Sequence, residues 1–440
     1  MAAVDMAAFE PVLDELDLSD FEVIGEIPRE LNGSLVRNGP NPLSGQFESE
    51  DVLSWWPEAA MLHSVSLADG KAIGYRNRWV RTQAWANHKR HDATATYPET
   101  NPNINVISHG GEILALAEGG QPLVINRSLD TLGASLVHPS LHRGMTAHPK
   151  VDPVTQELMY FKADWQAPWL RYGVADANGV EILDLEIDVP APAMMHDMAI
   201  TETHSILMDL SVGYDFAMFE LGYRIPICWQ DARASRLCVI PRHGGEVCWI
   251  EIDPCFIQHV VNAYNDSDGT IVMDVVRYPS YFKRNRQGDG FSPNPLGVLW
   301  RYRINLATVS VTEAQMDDQF IELPRINETL TGRRHRFFYG LEQPADNIMR
   351  GVIRYDMSTG AKVRHHVAEG DQNSEPVFVP RDTGTAEDDG WLLVCVYRKQ
   401  TNTSELRILD AGDISAEPCA TIKLGSRIPA GFHGAWLPES

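Results

Sequence analysis

The sequence predicts an all-β fold. Short runs rich in β-branched and aromatic residues follow one another along 440 residues, turn dipeptides separate them, and helical periodicity is nearly absent. Without helices alternating with the strands, a parallel α/β sheet is disfavoured. A propeller fits the length, since seven four-stranded blades would take about 60 residues each. No Trp-Asp or similar signature repeats, so periodicity alone does not set the number of blades.

Strands are expected at 33–37, 113–117, 159–162, 206–210, 248–252, 270–276, 298–304, 352–356, 391–397 and 405–410, most of them near Gly, Pro, Asn or Asp. Asn32-Gly33, Asp69-Gly70, Asn178-Gly179, Asp268-Gly269 and Asp389-Gly390 are turn signals, because such pairs tolerate the positive φ of tight hairpins. Helix is expected at 9–18 and briefly at 216–222. Gly and Pro are spread evenly and no linker stands out, so 1–440 reads as a single domain.

Hydrophobic residues make up 44% of the chain, enough for a sizeable core. No run approaches the roughly 18 apolar residues of a membrane helix. Residues 1–20 are acidic and lack the basic start and apolar stretch of a secretory leader, so a cytoplasmic location is expected. A net charge of −23 opposes binding to phosphate backbones and offers no basic patch to anionic lipid. The six cysteines contain no Cys-x-x-Cys pair and are expected to be reduced, mostly as small buried apolar side chains.

Four of the fifteen histidines sit in short apolar contexts: His148 in Met-Thr-Ala-His-Pro, His196 in Met-Met-His-Asp-Met, His259 in Phe-Ile-Gln-His-Val-Val, and His433 in Gly-Phe-His-Gly-Ala-Trp. Gaps of 48 and 63 residues separate the first three, which suits ligands carried by successive blades. Imidazole suits borderline ions such as Fe(II), and a site without carboxylate ligands points to oxygen chemistry rather than hydrolysis. Any one of these residues taken alone reads better as a hydrogen-bonded core histidine, and the residues by themselves leave both readings open. The other eleven, His63, His88, His91, His109, His138, His142, His204, His243, His335, His365 and His366, are expected at surfaces or turns.

The segment 25–42, Gly-Glu-Ile-Pro-Arg-Glu-Leu-Asn-Gly-Ser-Leu-Val-Arg-Asn-Gly-Pro-Asn-Pro, resembles the opening signature of the carotenoid cleavage oxygenases. Further similar motifs follow in order: Leu-Ala-Leu-Ala-Glu-Gly-Gly-Gln-Pro at 114–122, Thr-Ala-His-Pro-Lys at 146–150, Met-His-Asp-Met at 195–198 and His-Val-Val-Asn-Ala-Tyr at 259–264. Phe-Ile-Glu-Leu-Pro-Arg-Ile at 320–326, Ser-Glu-Pro-Val-Phe-Val-Pro-Arg at 374–381 and Gly-Phe-His-Gly at 431–434 complete the set, so the resemblance runs nearly end to end.

The resemblance implies a seven-bladed β-propeller with Fe(II) on its central axis and loops or short helices capping the active-site face. By motif, the ligands would be His148, His196, His259 and His433, and Glu118, Glu322 and Glu375 would accept hydrogen bonds from ligand rings. A carboxylate on the far nitrogen fixes an imidazole's tautomer and orientation and raises its basicity. The implied activity is cleavage of a conjugated C=C bond by O2 into two carbonyl products, without an organic cofactor. Retention of all seven groups argues against a propeller that only binds ligands or proteins.

The pocket departs from the family. Where relatives that cleave hydroxystilbenes place a Lys before the first glutamate, this chain has Ala117, and Thr-Gln-Ala-Trp at 82–85 offers Trp85 but no tyrosine. A hydroxystilbene cleaver is therefore disfavoured. The family's His-Trp-Phe-Asp-Gly-Asp-Gly-Met-Leu-His is replaced by Ser-Trp-Trp-Pro-Glu-Ala-Ala-Met-Leu-His at 54–63, so that loop must be rebuilt. Ile104 stands where many relatives carry Thr, and Phe256 matches a cavity-lining aromatic, although ordinary packing accounts for either. Residues 87–105 are too polar for the apolar membrane-dipping patch of some relatives, which favours a shorter substrate: an apocarotenoid or a small aryl alkene of the phenylpropene or vinylphenol type. The polar segment and short chain also weigh against a non-cleaving isomerohydrolase.

Overall fold

A computed structural model describes residues 6–46, 55–89, 97–286, 290–343 and 349–439. By internal contacts the chain divides into two compact units, one made of 1–136 with 336–440 and the other of 137–335.

The first unit holds four antiparallel sheets. One orders Asp17–Leu18, Lys71–Trp79, Ala60–Ala68, Gly33–Pro40 and Gly434–Pro438, so its last strand comes from the chain's end. A second runs Asn105–His109, Glu112–Leu116, Leu123–Ile125, Thr131–Ala134, and a third Phe337–Glu342, Val352–Asp356, Ala361–His365. In the fourth, Glu22–Gly25 extends Ala420–Lys423, Thr403–Asp410 and Gly390–Arg398, whose far edge pairs with Gln372–Asn373 and Val377–Pro380. Strands from opposite ends of the sequence thus close two sheets. The hairpin between Ala60–Ala68 and Lys71–Trp79 turns at Asp69 and Gly70, with φ of 50° and 74°, the primed-turn geometry that an Asp-Gly pair permits.

Among the described residues the second unit holds three runs of four antiparallel strands. Their strands are Lys150–Val151, Leu158–Ala163, Leu170–Ala175 and Glu181–Glu186; Ala199–Ile200, His204–Asp209, Ser235–Pro241 and Cys248–Ile252; and Phe256–Asn265, Ile271–Tyr278, Val298–Asn305 and Ser310–Arg325. A ribbon of Val212–Tyr214 and Ile227–Trp229 stands apart.

Every expected strand is present. The hairpin 60–79 and the long strand Ser310–Arg325 are among the many strands beyond those expected, the latter hidden in the sequence by its acidic residues. The expected helix at 9–18 is not formed. A 3-10 turn covers Met6–Phe9, and beyond it Pro11 lacks an N–H. Side-chain amides then take the backbone groups that a helix would have paired. Asn41 donates to the Val12 carbonyl (2.7 Å) and accepts from its N–H (3.1 Å), and Asn77 accepts from Leu16 N–H (2.6 Å). The 216–222 helix is a 3-10 turn at Phe216–Phe219, and the α-helix among the described residues, Gln83–Lys89, was not expected.

Five histidines expected at surfaces are buried: His63, His109, His138, His335 and His365. His63 illustrates why. Its Nδ1 lies 3.0 Å from the Tyr75 hydroxyl on the adjacent strand, and burial together with the Arg37 charge pushes its pKa down to about 3, so it is a neutral core group. All six cysteines are free; Cys228, Cys238, Cys255 and Cys395 are buried, Cys248 and Cys419 partly so. Among the described residues no helix is long and apolar enough to cross a membrane. Part of the segment singled out as polar, 90–96, lies outside the described residues, as does Ser54.

Asp152 is the most heavily bonded buried carboxylate of the second unit. It accepts from Val154 and Thr155 N–H (2.7 and 3.1 Å), from Arg242 (2.6 Å) and from Arg333 (3.2 Å). Burial alone would raise its pKa, but the two N–H groups and the Arg242 guanidinium outweigh burial and hold it at about 2. A folded value below the ordinary 3.8 means that this stabilisation is fully present above about pH 4 and is lost as pH falls toward 2. Asp152→Ala is expected to destabilise the protein by about 3–5 kcal/mol at pH 7, because it strands the buried Arg242 guanidinium. In urea unfolding the gap to wild type should narrow below pH 4; a gap unchanged down to pH 3 would contradict this.

Candidate metal centre

In the second unit, His148, His196 and His259 converge. Their ligand nitrogens lie within 4.8 Å of one another, with Nε2 of His196 and His259 3.3 Å apart. The ring of His148 is 4.4 Å from that of His196 and 5.2 Å from that of His259, centroid to centroid.

Local sequence explains each placement. His148 ends an irregular segment leading into Lys150–Val151, which is anchored where Thr146 N–H donates to the Phe161 carbonyl (2.7 Å). His196 lies in the lead-in to Ala199–Ile200, where Met195 and Met198 insert into the core around Phe161, Tyr172 and Leu207. His259 is on the strand Phe256–Asn265, whose pairing register shifts on both sides of Val260. Such bulges re-aim side chains, and here one accompanies a buried imidazole at the centre of the cluster.

Behind His259 stands Glu322. Its Oε2 is 2.5 Å from His259 Nδ1 and accepts from Leu323 N–H at the same distance, while its Oε1 accepts from the Tyr278 hydroxyl (2.6 Å). Burial opposes ionisation of Glu322, but the donors from His259, Tyr278 and Leu323 prevail and hold its pKa below the ordinary carboxylate value. Leu323 adopts φ 50°, a left-handed conformation that costs a bulky residue about 1–3 kcal/mol, and with it presents its N–H to the carboxylate.

In the first unit a similar pair recurs. His433 immediately precedes Gly434–Pro438, and its Nδ1 lies 2.9 Å from Glu375 Oε1, whose other oxygen accepts from Gly434 N–H (3.0 Å). His433 N–H donates to the Ile104 carbonyl (3.1 Å), and Asn38 N–H donates to the His433 carbonyl (2.9 Å). Ile104 is thus a backbone neighbour of this histidine. Glu118 is exposed at the bend after Glu112–Leu116, unlike Glu322 and Glu375, both 3% exposed.

The remaining pocket candidates are mostly packed. Phe256 stacks on Tyr281 (5.1 Å) beside Phe282 and Tyr278. Trp85 is on the buried face of Gln83–Lys89, under the Arg81 guanidinium (4.1 Å). Ala117 is buried. In the described part of the altered loop, 55–60, Trp55 packs between Phe9 and Phe432, and Asn103 donates to the Trp56 and Glu58 carbonyls (2.7 Å each). Tyr278, Thr146 and Asp197, all active in this geometry, were not singled out from sequence, although Thr146 and Asp197 lie inside the histidine motifs.

The donor chemistry fits a borderline metal ion. With Nδ1–H of His259 given to a carboxylate, its Nε2 carries a lone pair directed at the neighbouring rings. The His196 Nε2 3.3 Å away can either donate a proton to that lone pair or turn its own lone pair to a shared cation.

Comparison with known proteins agrees with the motifs. The family model described as retinal pigment epithelial membrane protein matches residues 9–438. A carotenoid cleavage oxygenase of Mycobacterium tuberculosis is 35% identical over 98% of this chain and 96% of its own length. The chain belongs to the carotenoid cleavage oxygenase family. Other members of the family include the carotenoid 9,10(9',10')-cleavage dioxygenase of Crocus sativus, 31% identical over 98% of this chain and 88% of its own. The solved structure of cobalt-substituted Synechocystis ACO, an apocarotenoid oxygenase, matches with a TM-score of 0.88 and 26% identity over 99% of this chain and 98% of that one. The fold is accordingly that family's β-propeller.

Tyr278→Phe removes a donor from buried Glu322 and is expected to cost about 1–3 kcal/mol of stability in the metal-free protein, read by urea unfolding. An unchanged midpoint would show that this hydroxyl does not support the carboxylate.

Proposed function

We propose that this protein is an Fe(II)-dependent oxygenase that cleaves a conjugated C=C bond of an apocarotenoid with O2, giving two carbonyl products. The observation that carries the reading is the convergence of three imidazoles, one of them backed by a buried carboxylate. Names of relatives that specify carotenoid or apocarotenoid cleavage support the substrate class. Small aryl alkenes are the second class to test, because the polar 87–105 segment favours a shorter substrate.

In this proposal His148, His196, His259 and His433 bind the ion through Nε2. Glu322 and Glu375 accept hydrogen bonds from the Nδ1–H groups of His259 and His433, and Glu118 is the third supporting carboxylate. Bound Fe(II) supplies the activation of dioxygen, and no protein base or nucleophile is required. The chain's own work is to hold neutral imidazoles in one tautomer, exclude water and seat the alkene, with Phe256, Ile104, Ala117 and Trp85 proposed to shape the pocket. One family model runs through both units, which supports a single functional domain over 1–440. Six free cysteines support a reducing, cytoplasmic setting.

Aerobic incubation of the Fe(II)-loaded protein with apocarotenals, stilbenes and vinylphenols should yield paired carbonyl products by mass from an apocarotenal. Stoichiometric iron with no cleavage of any of these would overturn the activity. His196→Ala is expected to abolish iron retention, and normal iron content in that variant would refute the ligand assignment. Glu322→Gln should weaken metal binding about 10- to 100-fold in chelator competition. Glu118→Gln should weaken it less, because water competes for an exposed carboxylate; an equal or larger loss would contradict that ranking.

A further inference from the structure

We infer that Asp197 is a positioning residue whose single carboxylate sets the spacing of the three histidine-bearing segments of the second unit. The inference rests on the proposed metal site and adds a part to it. Asp197 follows His196 directly and is 2% exposed. Its Oδ1 accepts from the Lys150 ammonium (2.7 Å) and from Met198 N–H (2.7 Å), and its Oδ2 accepts from Val260 N–H (2.8 Å). Lys150 lies two residues after His148, and Val260 one residue after His259. One side chain therefore joins all three segments, each within two residues of its histidine.

Thr146 provides a second but narrower tie. Its hydroxyl donates to the His196 carbonyl (2.9 Å) and accepts from His148 N–H (3.1 Å), which links two segments and leaves out the third. The His259 segment is joined to the other two through Asp197 Oδ2, at the point where the strand's register shifts. A bulged strand has lost part of the ladder that would fix its position, so a buried charged acceptor on its N–H is a substantial constraint. Each imidazole aims its nitrogen from its own segment, and displacements of a few tenths of an ångström in any of them alter the coordination geometry.

An asparagine cannot reproduce this brace. It offers one acceptor oxygen where two are used, and its NH2 would face either the Lys150 ammonium or the Val260 N–H. Replacing Lys150 by Met removes one arm and spares both backbone bonds, and Lys150→Arg keeps the charge.

The test loads wild type, Asp197→Asn, Lys150→Met, Lys150→Arg and His196→Ala with Co(II). It reads the cobalt ligand-field spectrum, the rate of cobalt loss to a chelator, and the urea midpoint of each metal-free protein. Asp197→Asn is expected to shift the spectrum and release cobalt at least about 10-fold faster, the scale seen for groups that orient ligands. Lys150→Met should show a smaller change in the same direction, and Lys150→Arg should return toward wild type. If Asp197→Asn does not fold, the two Lys150 variants carry the test. Wild-type spectrum and release rate in Asp197→Asn and Lys150→Met, with His196→Ala binding no cobalt, would overturn the inference and leave the metal site standing. A lowered urea midpoint with an unchanged spectrum would overturn it too, since that is a purely structural role. Normal cobalt binding by His196→Ala would instead refute the metal site itself.

Discussion

The hydrogen bond between Glu322 and His259 is the interaction on which the centre depends. A neutral imidazole can present a lone pair from either nitrogen, and a carboxylate that accepts a hydrogen bond from Nδ1–H leaves Nε2 as the metal-facing lone pair. The surrounding structure serves that choice. Tyr278 and the Leu323 N–H keep the buried carboxylate ionised, and the backbone at Leu323 accepts a left-handed φ to deliver its N–H. The pair of His433 and Glu375 repeats the solution with Gly434 N–H in the supporting role.

The histidines do not sit in the regular parts of the sheets. His148, His196 and His433 each lie in the irregular lead-in to a strand, and the fourth is on a strand interrupted by register shifts. Regular strands form a poor mount for converging ligands, because their side chains alternate between faces at a fixed period. Lead-in segments are free of that period, but they need other fastenings. Thr146, Asp197 and the Asn38–His433 backbone bond provide them. Regular sheets thus supply the stiffness, and short side-chain ties at their entrances supply the aim.

Strand positions were legible because β-branched and aromatic residues cluster between turn dipeptides, and the Asp69-Gly70 turn adopts the backbone that its sequence demands. The helix expected at 9–18 shows where local pattern fails. Its apolar spacing suits a helix, yet Asn41 and Asn77, distant in sequence, capture its backbone groups. The buried histidines show the same limit: His63 lies between polar and apolar neighbours in sequence, and only cross-strand Tyr75 makes it a core residue. The four histidines stand out by their apolar contexts, but the ligand set and the supporting glutamates were legible only through the motif resemblance, although Glu322 and Glu375 also lie in apolar runs where an unpaired charge would be costly. The ties among them were not legible, since a hydrogen bond from the Val260 N–H to Asp197 leaves no mark in composition or period.

The most direct test of the account is X-ray absorption at the metal edge of the Fe(II)-loaded protein. The account predicts a first shell of nitrogen and oxygen donors in which the multiple-scattering pattern counts four imidazoles, falling to three in His433→Ala. A shell dominated by carboxylate oxygen, or one whose imidazole count is unchanged by that substitution, would contradict it.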